Sequence, residues 1–217
     1  MAHSYDGTGD STDAASGIVF TSSWTITLYT KSDSGTNDAE DTCYGMYSVD
    51  FLGCDMRGTG SDFHRLGVFS GGSERAVQHS TQTADGNWHF LSHDFTDGSS
   101  GAINLYLDDM DTNDGSASGS YGTFTAPVNS FSFGMFGGLT GRDYTGEIAQ
   151  VQIFDYVLSA GERKTAAIIP FFGNLLCYQM IEPSTEDDMT SNANDGTVTN
   201  ATVTNQPHLL TLMENFL

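Results

Sequence analysis

The chain has 217 residues, of which 28 are acidic and 7 are basic, giving a formal net charge of −21 at pH 7. Such a charge repels polyanions and therefore argues against nucleic acid and anionic membranes as partners. No stretch is long and apolar enough for a transmembrane helix, and the N-terminus lacks the basic and apolar regions of a signal peptide. Short apolar runs separated by Gly, Ser, Thr, Asn and Asp are typical of an all-β protein with many turns.

Alternating apolar residues predict the strands of the first half of the chain. Trp24, Ile26 and Leu28 share one face of a strand over 22–30, because side chains two apart on a strand point the same way. The other strands predicted in this half run over 43–52, 63–69 and 75–83, separated by loops over 31–42 and 55–62. The strand over 75–83 is more polar than the others and is expected near a sheet edge.

Residues 84–110 predict a hairpin at the centre of a β-sandwich. Trp88 and Phe90 lead its first strand, and Ile103 and Leu105 lie on one face of its second strand. Residues 97–101, with the sequence D-G-S-S-G, supply the positive-φ positions that a tight reversal needs.

The second half of the chain contains the one predicted helix, over 160–168. Ser159 and Glu162 form a capping box that satisfies free N–H groups at its start, and Pro170 ends it. The other predicted elements are a long loop over 111–123 and strands over 129–136, 146–154, 175–180 and 196–203. Residues 208–217 are apolar and are expected to dock on the domain's own surface or on a neighbouring subunit.

Two segments carry a resemblance to a known family. D-G-N-W-H-F followed by G-A-I-N-L-Y-L-D-D, and later Y-T-G-E-I-A-Q-V-Q-I-F-D-Y-V-L-S-A-G-E, resemble the Trp-His strand, the L-Y-x-D-G hairpin and the final strand of laminin G-like, concanavalin A-like jelly rolls. The resemblance covers nearly the whole chain. It implies an all-β, antiparallel two-sheet jelly-roll sandwich with one short C-terminal helix.

The resemblance also suggests how the chain is divided. It implies a sandwich over 1–158 and an extension over 159–217, in which a helix and a strand-loop-strand piece pack on the sandwich or on a neighbouring subunit. The segment L-L-C-Y-Q-M-I-E followed by D-D-M-T-S-N-A-N-D-G-T resembles a piece that usually opens such domains. It is also similar to the tail of laminin G-like proteins encoded by phages and other viruses.

Residues 109–115 are the candidate metal site, with Asp109, Asp111, Asn113 and Asp114 as ligands for Ca²⁺. The segment departs from the EF-hand because its Gly comes one place late and no Glu closes the loop. A solvated acidic loop is the alternative. Laminin G-like folds often bind one Ca²⁺ at a rim, so the resemblance adds to the metal hypothesis.

Tyr121, Arg142 and Tyr144 are the candidate ligand-binding residues, because sugars are bound by aromatic and polar side chains in rim loops. Local packing is the alternative interpretation for the two tyrosines. Four histidines are scattered over the predicted strands and are expected to be surface or half-buried residues rather than bases: His64, His79, His89 and His93.

The cysteines leave two alternatives open. Cys43 and Cys54 lie 11 residues apart and could close the ends of a hairpin as a disulfide, which would leave Cys177 free. The other alternative is three reduced, partly buried thiols. No Cys/His spacing suggests zinc.

Catalysis is not expected. A sandwich glycosidase needs two carboxylates spaced on one strand face, and relatives would carry them on the strand over 147–153. Here Glu147 shares its face with Ala149 and Val151, and Ala149-Gln150 replaces the Asp-Glu pair of the family pattern. We therefore predict that the protein is not an enzyme.

Two functions fit these features. The first is a virion structural protein, a capsid decoration, turret or fibre-like homo-oligomer at the virion surface or outside cells. It would contact other virion proteins, mediate assembly and attach to host glycans, with its spread acidity as an adaptation to high salt. The second is a Ca²⁺-dependent carbohydrate-binding or adhesion module.

Overall fold

A computed structural model gives the structure of the chain and describes residues 1–14, 18–32, 41–47, 50–56, 63–70, 72–122, 131–137, 139, 141–169 and 174–204. The strands of the first half are β1 (Ala2–Asp6), β2 (Ser11–Ala14), β3 (Ser23–Lys31), β4 (Thr42–Tyr47), β5 (Phe51–Met56), β6 (His64–Ser70), β7 (Ser73–Gln78) and β8 (His89–Thr96). The remaining elements are β9 (Gly98–Leu107), β10 (Asn113–Tyr121), β11 (Ser132–Phe133), β12 (Thr145–Phe154), helix α1 (Ala160–Ile168), β13 (Leu176–Tyr178), β14 (Thr185–Glu186), β15 (Gly196–Thr199) and β16 (Thr202–Thr204).

The strands form two eight-stranded sheets, as expected for a jelly-roll sandwich. Sheet A has the order β10-β9-β8-β3-β12-β1-β16, and β13 also pairs with β12. Sheet B has the order β14-β15-β2-β11-β4-β5-β6-β7. The paired strands of the described ranges are antiparallel. The sequence prediction of an all-β, antiparallel two-sheet fold with a short helix is therefore confirmed.

The core lies between the two sheets and is built from the inward faces predicted by period-two alternation. Trp24, Ile26 and Leu28 of β3 are fully buried there. The Trp24 ring stacks on Phe95 of β8, with 5.2 Å between ring centroids. Leu66 of β6 is among the residues that meet these side chains from sheet B. The predicted core face of β3 is thus the one that packs against the opposite sheet.

Helix α1 packs on the outer face of sheet A. The predicted capping box is present, since the Ser159 side chain accepts from the Glu162 N–H and the Glu162 carboxylate accepts from the Ser159 N–H. At the other end, the Tyr29 hydroxyl donates to the Ala167 carbonyl over 2.9 Å. The side-chain amide of Gln152 donates to the Ala166 carbonyl over 2.7 Å. Sheet A therefore supplies partners for carbonyls that a helix end leaves unpaired.

Several predicted elements are found close to their expected bounds. The hairpin over 84–110 is β8 and β9, the strand over 63–69 is β6, and the strand over 146–154 is β12. The polar strand over 75–83 corresponds to β7, which is an edge strand of sheet B. No helix among the described residues has the length and hydropathy that crossing a membrane requires.

Two predictions of local structure are wrong. The loop predicted over 111–123 contains β10, whose nine residues pair with β9 at the edge of sheet A. An edge strand needs little apolar alternation, so its Ser and Gly content concealed it. The strand predicted over 43–52 is two strands, β4 and β5, which pair with each other. The sequence between them, S-V-D at 48–50, includes no glycine or proline to mark a break.

The described part of the C-terminal extension pairs with the sandwich. β13 pairs with β12, β15 pairs with β2, and β16 pairs with β1. The strands that follow the helix therefore enter both sheets. The predicted helix terminator Pro170 and the predicted docking segment over 208–217 lie outside the described residues.

Candidate functional site

Three parallel rows of side chains cross the outer face of sheet B. They follow from the antiparallel register of β4 to β7, which places every second residue of each strand on this face. The first row is largely aromatic and consists of Tyr47, Phe51, Phe69 and Glu74. The middle row is nearly without side chains and consists of Gly45, Gly53, Gly67 and Ala76. The third row is polar and consists of Asp55, Arg65 and Gln78.

Two of the glycines lie under one aromatic ring. Phe136, in the loop after β11, lies over the start of the middle row. A Cβ on Gly53 would lie 2.3 Å from Phe136 Cε2, and one on Gly45 would lie 3.0 Å from Phe136 Cδ2. Real Cβ atoms do not approach as closely as 2.3 Å, so Gly53 needs to be glycine for Phe136 to lie there. The contact at Gly45 would be tighter than most real Cβ contacts, so a side chain there would push Phe136 or the backbone by a few tenths of an ångström.

Gly67 is different, because nothing in the part of the chain that the structure describes requires a glycine there. Its backbone is not in the positive-φ region. A Cβ would meet only ordinary contacts, with Arg65 Nη2 at 3.6 Å and Glu74 Oε1 at 3.9 Å. A glycine inside a strand costs roughly 0.5–1 kcal/mol relative to alanine. The missing side chain leaves space above the sheet, which is a known use of glycine where another molecule approaches a backbone.

The space above the middle row is a pit of about 350 Å³. It is lined by Tyr47, Phe51, Gly53, Asp55, Arg65, Gly67, Glu74, Phe136, Leu139 and Arg142. This volume falls within the range of about 300–1,000 Å³ found for small-molecule sites. The pit therefore combines a backbone floor with one aromatic wall and one charged wall.

The aromatic wall is a set of rings in mutual contact. Phe51 and Phe69 stack with their centroids 5.3 Å apart, and Tyr47 lies beside Phe51 at 6.3 Å. Phe136 meets both Tyr47 and Phe51 edge-on. Tyr47 is 41% exposed, so part of this apolar wall faces solvent. A partly exposed aromatic cluster beside a pit is a surface on which the apolar face of a ligand can pack.

The charged wall is held by Arg65. Its Nε and Nη2 donate to the two oxygens of the Asp55 carboxylate over 2.9 and 3.2 Å. Nη2 also donates to Glu74 Oε1 over 3.4 Å, across the position of Gly67. The Asp55 side chain is only 6% exposed, whereas that of Glu74 is 47% exposed. Planar charged groups fixed in this way present both donors and acceptors toward the pit.

The third side of the pit belongs to the loop between β11 and β12. A bridge between Met135 and Asp143 closes this loop, and the Arg142 carbonyl accepts from the Thr42 N–H of β4. The guanidinium of Arg142 lies 5.5 Å from the centroid of the Phe136 ring. The predicted ligand-binding residue Arg142 therefore lines the pit, at the end that Phe136 covers.

The other two predicted ligand-binding residues are buried, so their assignment as surface sugar contacts is corrected. Tyr121 is 4% exposed and packs edge-on against Phe95 in the core. Tyr144 is fully buried, and its hydroxyl forms a 2.6 Å hydrogen bond with Thr30 Oγ1. Each tyrosine is in or next to a strand whose inward face it joins, so local packing describes both.

The four predicted calcium ligands do not converge. The Asp109 carboxylate accepts from the N–H groups of Asp111 and Thr112, and the Asp111 carboxylate pairs with Lys164 Nζ at 2.5 Å. Asn113 bonds to Asn104 across β9 and β10. Within the described ranges, no group of three or more His, Cys, Asp and Glu side chains is placed to hold a metal ion. Calcium binding by this segment stays a prediction, and it would require these side chains to leave their present partners.

Asp114, the fourth predicted ligand, belongs to a buried polar chain that the sequence did not reveal. Its carboxylate forms a 2.8 Å contact with His79 Nδ1, and His79 Nε2 lies 3.0 Å from His93 Nε2. His93 Nδ1 in turn bonds to the Tyr44 hydroxyl over 2.6 Å. This chain crosses the space between the sheets, because His93 is on sheet A and Tyr44 on sheet B.

The histidines are therefore less exposed than expected. His64 and His93 are fully buried and His79 is 2% exposed, which corrects the expectation of surface or half-buried positions; His89 alone is half-buried. Burial lowers the pKa of His64 to about 3 and holds the pKa of His93 well below its usual value. Burial also acts against protonation of His89, but its bonds to Asp108 and Asp85 outweigh this and raise its pKa.

The three cysteines are free thiols, and the predicted disulfide between Cys43 and Cys54 is not formed. The register explains this. Cys54 is paired with Tyr44, while Cys43 lies at the bulge in β4, with its Sγ 4.0 Å from Thr30 Oγ1. Burial raises the pKa of Cys43 to about 12, so this thiol is protonated and unreactive.

No protein-family model matches the sequence, and no curated protein matches it either. Solved structures do resemble the fold. A candidate carbohydrate-binding protein from Bacteroides ovatus matches with a TM-score of 0.71 and 15% identity, covering 95% of this chain and 60% of that one. The chain thus spans less than two thirds of the length of the Bacteroides protein.

Two further structures have the same fold. Domain 4 of AbnA, a GH43 extracellular arabinanase from Geobacillus stearothermophilus in complex with arabinotriose, matches with a TM-score of 0.57 and 16% identity, covering 76% of this chain and 75% of that one. Domains LG4-5 of the mouse laminin α1 chain match with a TM-score of 0.56 and 11% identity, covering 74% and 43%. At these identities the similarity establishes the fold, which is a laminin G-like, concanavalin A-like jelly roll.

Proposed function

We propose that this protein is a non-enzymatic carbohydrate-binding module and that the pit on sheet B is its binding site. The observation that carries the proposal is Gly67. It lines the pit without a side chain, although neither its backbone conformation nor a close neighbour among the described residues requires glycine there. The candidate carbohydrate-binding protein from Bacteroides ovatus and the arabinanase domain bound to arabinotriose support the proposal, since they share the fold.

The walls of the pit suit a sugar. A sugar ring has an apolar face of C–H groups, which Phe51 and Tyr47 can cover, and hydroxyls that both donate and accept hydrogen bonds. Asp55 and Glu74 offer acceptor oxygens, and the guanidinium of Arg65 offers donors beside them. Most of these groups are already fixed by one another, so little ordering accompanies binding.

The charge of the site favours a neutral sugar. The two carboxylates and the two arginines that line the pit cancel, while the chain as a whole carries −21. A sulfated or uronate-rich polymer would meet the repulsion of that surface without a local excess of positive charge. We therefore expect neutral oligosaccharides to bind and polyanionic ones to bind more weakly.

Binding without hydrolysis is the chemistry that the pit supports. Both oxygens of Asp55 accept hydrogen bonds from Arg65, so this carboxyl is not placed to give a proton to a glycosidic oxygen. Glu74, the other carboxylate of the pit, contacts the same guanidinium. The proposal accordingly keeps the sequence-based expectation of a protein without enzymatic activity.

The proposal is tested with Gly67→Val and a matched control, Ala76→Val. Valine at 67 places methyl groups inside the pit, whereas Ala76 belongs to the same row but lies beyond the pit on edge strand β7. On an array of neutral and acidic glycans, the wild type and Ala76→Val should bind the same neutral set. Gly67→Val should bind that set at least about tenfold more weakly, a change of about 1.4 kcal/mol. Equal binding by both variants, with intact circular dichroism, would remove the pit as the site.

The virion role and the calcium dependence stay predictions of the sequence. The segment expected to attach the protein to a neighbour, residues 208–217, lies outside the described residues. Repeating the array with EDTA tests calcium dependence. Light scattering from low to molar NaCl tests whether a discrete homo-oligomer forms and whether it needs salt. A monomer at every salt concentration would leave the assembly role without support.

A further inference from the structure

Side chains of the described residues lie on all four sides of the pit, which restricts what part of a glycan can enter it. Across the strands, Phe136 covers the floor at the β4 end, where it lies over Gly45 and Gly53. At the β7 end, the contact between Arg65 and Glu74 passes over Gly67. A polymer chain lying across the strands would collide with both barriers.

The sides along the strands are closed as well. Tyr47 and Phe51 stand on one side, and the bidentate pair of Asp55 and Arg65 stands on the other. Residues two apart on a strand are separated by about 6.6–6.8 Å, so the two walls lie one row to either side of the glycine floor. The direction that these described groups leave open is outward from the sheet.

We infer that the pit binds the terminal sugar unit of a neutral glycan, a chain end or the tip of a branch, and not an internal segment. This inference rests on the proposed function and adds the part of the glycan that is recognised. An internal unit has neighbours on two sides, whereas the pit admits a neighbour only from above. A terminal unit has one neighbour and can enter with its linkage directed to solvent.

The wall at the β7 end, formed by the contact between Arg65 and Glu74, is weaker than the others. Removing it therefore tests whether the walls restrict binding to a terminal sugar. Glu74 makes a single 3.4 Å contact with Arg65, and its side chain is 47% exposed. Arg65 itself is held by two hydrogen bonds to Asp55. Removing the Glu74 side chain would therefore open the β7 end of the pit without releasing Arg65.

The experiment uses the full chain and four neutral homopolysaccharides, namely β-glucan, xylan, mannan and arabinan. Each is offered at equal mass as the long polymer and as its tetrasaccharide, which has many more ends per gram. Cyclic glucans, which have no ends, are offered beside the linear glucan. Binding to at least one tetrasaccharide, at least about tenfold better per gram than to its polymer, with no binding of a cyclic glucan, is the expected result.

Two other outcomes distinguish failure of terminal recognition from failure of the sugar-binding proposal. Equal or better binding of a polymer, or binding of a cyclic glucan, overturns terminal recognition but leaves the sugar-binding proposal standing. Failure to bind any of these probes or any glycan of the array overturns both. Glu74→Ala removes one acceptor for the sugar but opens the β7 end, so its binding to the polymer relative to the tetrasaccharide should rise by at least about tenfold. Glu74→Gln, which keeps a side chain of the same length at that end, should raise this ratio less. Arg75→Ala, an exposed change on the same strand, is the control, and an unchanged polymer preference in Glu74→Ala would contradict the four-sided pit.

Discussion

Each outer face of the sandwich carries an arginine–aspartate pair beside aromatic rings, but the pair is covered on sheet A and more exposed on sheet B. On sheet A, Arg163 of helix α1 donates to the Asp94 carboxylate over 3.2 Å and lies 3.5 Å from the centroid of the Tyr106 ring. On sheet B, Arg65 pairs with Asp55 near a cluster of aromatic rings. The first pair is almost completely buried, whereas the Arg65 side chain is 19% exposed.

The two outer faces differ in whether other parts of the chain cover them. The face of sheet A is filled by the chain itself, because Leu158, Ala166 and Ala167 pack on Tyr29 and Phe90. The face of sheet B has a row of glycines beside an aromatic wall. The described side chains nearest to Gly67 are those of Arg65 and Glu74, and a pit of about 350 Å³ lies next to them. A pair of charges that is covered by the chain's own helix contributes to folding, and one left beside an open pit is available for binding.

Acidification gives the largest expected loss of folding stability. It tests whether the two outer faces depend on the same hydrophobic core. Burial lowers the pKa of His3 to about 4 and of His64 to about 3, and holds that of His93 well below normal. Unfolding at acidic pH lets these groups take up protons, so stability is complete above pH 6.5 and falls below it. Each of these three histidines should lower the free energy of unfolding by about 2 kcal/mol at pH 5 relative to pH 7.

Acidic groups oppose this loss only in part. Burial raises the pKa of Asp94 to about 6, so this group destabilises the fold above that pH, and acidification between pH 6 and 3.8 relieves the cost. The net expected loss at pH 5 is about 4 kcal/mol. Urea unfolding followed by tryptophan fluorescence and by circular dichroism at both pH values checks it. Equal stability at both pH values, or a transition confined to the helix, would show that the faces do not depend on a common core.

Removing each arginine separates the covered face from the open one. Arg163→Ala leaves Asp94 buried without its cation and should cost about 3 kcal/mol of unfolding free energy, since breaking a buried pair costs 3–5 kcal/mol. The lower end applies because Asp94 can take up a proton. Arg65→Ala, at the more exposed pair, should cost about 1 kcal/mol. Equal losses in urea unfolding would contradict the distinction drawn between the two faces.

Alanine at two glycines of the same row gives the smallest effects with opposite signs. Gly53→Ala forces Phe136 to move and should cost about 1–3 kcal/mol, as overpacking does. Gly67→Ala meets no close contact and should leave the protein as stable or up to about 1 kcal/mol more stable. Thermal unfolding of the two variants measures the difference. A destabilised Gly67→Ala would mean that folding, and not binding, requires this glycine.

The sequence predicted the elements whose signal is local. The capping box at Ser159 marks the helix, and the alternation of Trp24, Ile26 and Leu28 marks β3. It missed β10, whose Ser-Gly pattern carries no apolar period, and it merged β4 with β5 because no glycine or proline lies between them. These failures share one physical cause: edge pairing and turn position depend on the neighbouring strand more than on the segment itself.

The pit could not be predicted from the sequence, because the register of strand pairing brings its residues together. Gly45, Gly53 and Gly67 lie on three strands, and only the pairing of Gly45 with Gly53 and of Gly53 with Gly67 joins them in a row. One local signal was present, since each glycine interrupts an apolar strand, as Y-G-M, L-G-C and L-G-V. Glycine is disfavoured inside strands, so three such interruptions indicate a surface where side chains are unwanted.

The position of β1 between β12 and β16 determines how the molecule responds to mechanical force. Ala2 pairs with Thr204 and Ser4 with Thr202, so Ala2 at the start of β1 and Thr204 at the end of β16 lie at the same end of this strand pair. Tension applied through these two points would open the hydrogen bonds one after another instead of loading them together. β16 would then peel away at low force, while the glycine row, which lies on the other sheet, keeps its shape.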